Sequence, residues 1–145
     1  ARLDVRTQLR MEGYYQAMAD FGLTGQHLLT EQSSSFTLGG ELLAQAMAGF
    51  PDLDGLFCTN DDLAVGALLQ CQARWIPVPQ QVAIAGSNAL DIGHAMTPKL
   101  ASIVTPRETI GREAAIMLLA RLGDQPLATR CKDIGFSLYE GESLG

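Results

Sequence analysis

From Thr7 onward apolar residues recur at spacings of three and four, with Tyr14, Ala17, Met18 and Phe21 on one stripe and Gly22 behind them as a stop. That period predicts a helix over residues 7–21. A short His27-Leu28-Leu29 run within residues 26–31 predicts a strand. The polar segment Gln32-Ser33-Ser34-Ser35 then opens onto Leu38, Leu42, Leu43, Ala46 and Met47 at helical spacing, and Pro51 ends that second helix. Residues 53–59 read as a buried strand, after which Asn60, Asp61 and Asp62 supply short acceptor side chains suited to capping a helix over 63–74. A third apolar strand covers 82–86, and the loop Ser87-Asn88-Ala89, a helical turn over 91–96 and a strand over 101–105 follow. Thr105, Pro106 and Glu108 fit a capping box with proline at the first helical position, opening a helix to Leu122 that Gly123 stops. Alternating Ile134, Phe136 and Leu138 predict a last strand over 132–139.

Strands separated by helix-length connections imply an α/β fold with a mainly parallel sheet, covered on both faces and joined by right-handed crossovers. In such sheets ligands collect where loops and helix starts meet the carboxyl ends of the strands. Three polar segments qualify: Ser33-Ser34-Ser35, Thr59-Asn60-Asp61-Asp62 and Ser87-Asn88-Ala89. Each alone is also what N-capping and turn formation require. Arg10 shares a stripe with Tyr14, Ala17 and Phe21 and so needs an acceptor. It can pair with Asp4 or Glu12, extend to solvent, or offer its planar fork to a ligand carboxylate or to sugar hydroxyls.

A formal charge of −6 argues against a nucleic-acid surface on these 145 residues. Cys58, Cys71 and Cys131 have no metal-type spacing, and their odd number fits reduced, cytoplasmic thiols better than a disulfide framework. No stretch is long and apolar enough for a membrane span. Catalysis has little support: His27 and His94 lie in no metal-ligand pattern, and neither a nucleophile elbow nor a glycine-rich phosphate loop occurs. Adjacent Asp61 and Asp62 point in different directions at a helix start, so they suit capping better than paired acid–base work. No metal and no cofactor is expected, and the chain is expected not to be an enzyme.

Taken in order, four segments resemble the effector-binding core of the lactose and galactose repressor family. They are Arg10-Met-Glu-Gly13-Tyr14-Tyr-Gln-Ala17-Met18, the run from Leu53 through Asn60 to Ala67, Val78-Pro79 with Val82 to Gly86, and Pro98 to Arg107. Phe57-Cys58-Thr59-Asn60-Asp61-Asp62, Asp91-Ile92-Gly93 and Ser102-Ile103-Val104-Thr105-Pro106-Arg107 look specifically like gluconate-operon repressors. The resemblance implies a parallel-sheet sandwich of the periplasmic-binding-protein-like type I class, present as a C-terminal fragment whose DNA-binding headpiece is absent. Residues 1–100 would be mainly the C-terminal effector-binding subdomain. Residues 101–145 would supply the crossover strand, helix and last strand that complete the N-terminal subdomain. It further implies a cytoplasmic homodimer that responds to a small sugar acid and reaches operator DNA only through the missing domain.

Carried over by position, Arg10 and Asn60 would hydrogen-bond the effector. Asn88 would do so where the family often has Asp, a departure that removes a charge repelling an acidic ligand. Ser34 stands where an aromatic often packs on the ligand, which suits an open-chain polyol acid. Asp61 would support the helix start and cleft, and Val65 and Met96 would lie at the subunit interface. The surplus of apolar residues on the helix over 63–74 suggests the same partner. A periplasmic sugar-binding receptor of the same fold is the alternative reading, and the fold does not separate the two.

Overall fold

The computed structural model describes residues 5–126 and 129–145. In chain order the elements are α1 (Val5–Asp20), α2 (Phe36–Gly49), β1 (Gly55–Phe57), α3 (Asp61–Ala73), β2 (Ala83–Ser87), α4 (Asp91–Ala95), β3 (Ala101–Val104), α5 (Arg107–Leu122) and β4 (Ser137–Tyr139). Two of the helix starts are set by the side chains that the polar loops offer. Ser35 accepts a hydrogen bond from the Leu38 amide at 3.1 Å to cap α2, and Asn60 accepts from the Leu63 amide at 3.1 Å to cap α3. Gly22, at φ +67°, ends α1 in the left-handed turn for which glycine carries no Cβ penalty.

The strands form one sheet in the order β1-β2-β3-β4. β1 and β3 both run parallel to β2, with Leu56 opposite Ile84 and Gly86 opposite Ser102, whereas β4 runs antiparallel to β3 with Ile103 opposite Leu138. Helix α3 lies between this sheet and α2, which accounts for its apolar residues on more than one side. Leu63, Ala64, Val65, Ala67, Leu68 and Cys71 are all buried, together with Leu38 and Leu43 of α2, Ile84 of β2 and Leu100. Burying a side chain of leucine size contributes about 1.5–3 kcal/mol, so this cluster is the main favourable term. The helices cross at unusually short range. A Cβ on Gly39 would lie 2.2 Å from the Leu63 carbonyl oxygen, and one on Gly66 would lie 2.0 Å from that of Phe36.

Several sequence expectations are corrected by this arrangement. Residues 26–31 form no strand, since no described neighbour offers them a ladder. Helices α1 and α5 bury no residue, so neither covers the second face of the sheet. The capping box before α5 does not form: Pro106 occupies the N-cap, no side chain caps the helix, and the Arg107 amide donates instead to the Thr105 carbonyl. The chain leaves the sheet after Val104 and rejoins it at Ser137. Val65, expected to face a partner subunit, is 1% exposed and belongs to the core; the apolar surplus of α3 is absorbed by α2 within the chain. Met96 is half-buried against the same core, while Leu69 is the large apolar residue that α3 turns outward.

The tail also closes on the sheet. Ser143 is fully buried; its hydroxyl donates to the Ile84 carbonyl at 2.5 Å and accepts from the Ala101 amide at 2.8 Å, and the Ile84 amide donates to its carbonyl at 2.9 Å.

Candidate functional site

β1 and β2 deliver their carboxyl ends beside the start of α3, and the polar loops selected from the sequence meet there. Asn60 holds two bonds at once: its Oδ1 caps α3, and its Nδ2 donates to the Ser34 hydroxyl at 2.7 Å across 26 positions of chain. That contact fixes the amide orientation and joins the loop before α2 to the loop after β1. Among the described residues the Ser34 hydroxyl proton has no acceptor, which leaves it for a further one.

Asp61 follows at the first position of α3 and is fully buried. The cap itself is made by Asn60, not by Asp61; the Asp61 carboxylate instead reaches across to the next strand end. Its Oδ2 accepts from the Leu90 amide at 2.6 Å and its Oδ1 from the Ser102 hydroxyl at 2.6 Å. Among the described residues it pairs with no cation. Two short charge-assisted bonds and the positive end of α3 offset the cost of burying that charge. Gly86 makes room for it, since a Cβ there would lie 2.2 Å from Oδ1. The carboxylate also faces Cys58, whose thiol is pushed up to about 12, by burial first and by Asp61 second. A thiol so placed is inert as a nucleophile.

The loop after β2 carries Asn88 at φ +112° and Ala89 at φ +48°, both in the left-handed region that side chains disfavour. Three consecutive amides hold it there. Asn88 N–H donates to the Ile103 carbonyl at 2.9 Å, Ala89 N–H to the Ser102 hydroxyl at 3.0 Å, and Leu90 N–H to Asp61. The sequence places Ser102 only in a run that resembles the gluconate-operon repressors and gives it no role in the site, although a serine inside the apolar run of β3 is the available signal.

Arg10 stands apart from this cluster. It is half-buried on α1, and its guanidinium makes no hydrogen bond or ion pair among the described residues; Asp4, one partner considered for it, lies outside them. α1 is strapped to the segment after it by the Gln26 amide donating to the Tyr14 hydroxyl at 3.2 Å and by a Tyr15 hydroxyl–His27 Nδ1 contact. The structure thus joins Ser34 and Asn60 directly and ties the Asn88 loop to the same helix start through Asp61, while no described bond brings Arg10 to them. Among the described residues no group of His, Cys, Asp and Glu could hold a metal ion, and no helix is long and apolar enough to cross a membrane.

A sheet with its polar loops gathered at the strand ends is the arrangement of a ligand-binding α/β domain. The chain belongs to the periplasmic binding protein-like domain family, which matches it over residues 1–144. It is 49% identical over 144 residues to the HTH-type transcriptional regulator GntR of Escherichia coli and 44% identical over 141 residues to the regulator IdnR of the same species. Those matches cover 99% and 97% of this chain but 44% and 42% of the relatives, so the chain spans less than half their length. The sucrose operon repressor of Shigella flexneri is 34% identical over 138 residues. Among solved structures, the transcription regulator GntR from Chromobacterium violaceum superposes with a TM-score of 0.94 at 40% identity, over 97% of this chain and 53% of that one. These relatives are transcriptional regulators of the LacI type, and transcriptional regulators are not enzymes.

Proposed function

We propose that the chain is the effector-sensing part of a cytoplasmic LacI-type repressor that responds to gluconate or a related sugar acid. The observation that carries this reading is the Ser34–Asn60 hydrogen bond at the strand ends, with the Asn88 loop fastened to the same helix start. The groups offered there are neutral donors and acceptors suited to hydroxyls. Arg10 supplies the positive charge for a carboxylate, and Asn88 adds no negative charge to oppose it. The GntR and IdnR relatives support the regulator over a periplasmic receptor of the same fold.

Operator DNA would be contacted by a part of the protein other than these residues, whose net charge of −6 repels it. Effector would then act by binding one arrangement of the whole protein better than another, the difference in affinity setting the shift. The protein would act as a homodimer, with Leu69 of α3 and Ile92 of α4, both exposed, and the neighbouring Met96 forming part of a two-fold contact in place of Val65.

Calorimetry of the full-length protein tests the effector assignment. Gluconate should bind with saturable heat and loosen operator binding, whereas a neutral polyol of the same length should bind at least tenfold more weakly. Equal affinity for acid and polyol would refute the sugar-acid reading.

A further inference from the structure

Asp61 and Ser102 form a buried pair whose bonds end on the loop that carries Asn88. Asp61 spans 41 positions of chain to reach Ser102 and 29 to reach Leu90. Ser102 in turn passes the connection to the Ala89 amide. Neither side chain offers a ligand any surface, because Asp61 is fully buried and Ser102 is 2% exposed. The loop they hold is in a backbone conformation that it would not keep unaided, with two successive non-glycine residues at positive φ.

Since the protein itself uses the amides of Asn88, Ala89 and Leu90, this loop has no backbone N–H left for an anion. Its contribution to recognition is the Asn88 side chain, and the direction of that side chain depends on the backbone being held. We infer that Asp61 and Ser102 are positioning residues for effector recognition: they fix the 88–90 loop so that Asn88 is aimed before ligand arrives. The inference rests on the effector-binding reading of Asn88 and deepens it. Preorganisation of this kind removes an ordering cost from binding, so losing it weakens affinity without removing any ligand contact.

The test uses full-length protein with D-gluconate as probe, and the variants Ser102→Ala, Asp61→Asn, Asn88→Ala and Ser102→Ala/Asn88→Ala. Ser102→Ala should weaken gluconate binding about tenfold, whereas in the Asn88→Ala background the same change should cost less than about twofold, because what it aimed is gone. Additive losses would overturn the inference and leave Ser102 a general structural residue. A ligand-free measurement keeps the question separate from gluconate: hydrogen exchange at the Ala89 and Leu90 amides should quicken at least tenfold in Ser102→Ala and in Asp61→Asn, with amides in the middle of α3 unchanged. Unchanged exchange at those two amides would also overturn it. If wild type fails to bind gluconate, or Asn88→Ala binds as wild type does, the proposed function fails instead, and the exchange result still decides whether the pair holds the loop.

Discussion

Gly39 and Gly40 are adjacent in α2, yet replacing each with alanine should shift stability in opposite directions. A methyl on Gly39 would sit 2.2 Å from the Leu63 carbonyl oxygen, 2.8 Å from its carbon and 2.9 Å from its Cα, all backbone atoms inside α3 that no rotamer change can move. To regain ordinary contact the two helices must part by about 1 Å along a seam that holds Leu38, Leu43, Ala46, Leu63 and Ala67. Overpacking of this kind costs about 1–3 kcal/mol, and a backbone-against-backbone overlap belongs at the upper end, about 3 kcal/mol. A methyl on Gly40 would instead meet Gln70 Cβ at 3.4 Å and the Gly66 carbonyl oxygen at 3.5 Å, which is ordinary van der Waals contact. There alanine gains helix propensity over glycine and should stabilise by about 0.5–1 kcal/mol. Urea unfolding followed by far-ultraviolet circular dichroism gives both numbers from midpoint shifts at constant slope. A Gly39→Ala protein as stable as wild type, or a Gly40→Ala protein that loses more than it gains, would refute the close crossing of α2 and α3.

Arg10→Ala should weaken gluconate binding about ten- to a hundredfold, the loss of one bidentate charge-assisted contact, while operator affinity without effector stays within twofold; titration and operator shift assays measure both, and unchanged effector sensitivity removes Arg10 from the site. The Cys58 thiol, raised from 9.0 to about 12 in the fold, stays neutral where the unfolded thiol ionises. Its contribution to stability is therefore complete below pH 9 and is lost as pH rises from 9 toward 12, by up to about 1.4 kcal/mol per pH unit. Urea midpoints between pH 8 and 10.5 should fall more steeply for wild type than for Cys58→Ala, and parallel slopes would contradict the burial of that thiol beside Asp61. Ser143→Ala strips the buried Ala101 amide of its acceptor and the Ile84 carbonyl of a donor, and should cost about 2–4 kcal/mol by calorimetric melting.

The helices on either side of the core were legible because their period and their stops coincide: Ser35 and Asn60 sit one residue before the elements they cap. β2 and β3 were legible as apolar runs, although the ladder uses fewer residues of each run than the apolar pattern spans. Composition alone does not say what satisfies an apolar surplus: the pattern of α3 suggests a partner subunit, whereas its second side packs on α2. Leu28 and Leu29 have strand character, but a strand exists only where a neighbour accepts its hydrogen bonds. The polar strand-end segments were identifiable from their residue types; their division of labour was not. Whether Asn60 or Asp61 caps α3 depends on which carboxyl or amide oxygen reaches the Leu63 amide. That Asp61 serves the next loop depends on Ser102, which is 41 positions away.

The seat of Ser143 has a consequence for synthesis on the ribosome. The Ile84 amide and carbonyl and the Ala101 amide are all bonded to a single residue that is translated 42 to 59 codons later. Until that residue leaves the exit tunnel, β2 and β3 can pair with each other but keep open polar groups at their starts, where water or a chaperone must serve. The nascent chain can therefore collapse around α2 and α3 early, yet the sheet is completed only in a late step. A stop codon a few residues short of Ser143 would yield a protein with nearly all of its core and a sheet left unsealed at one end.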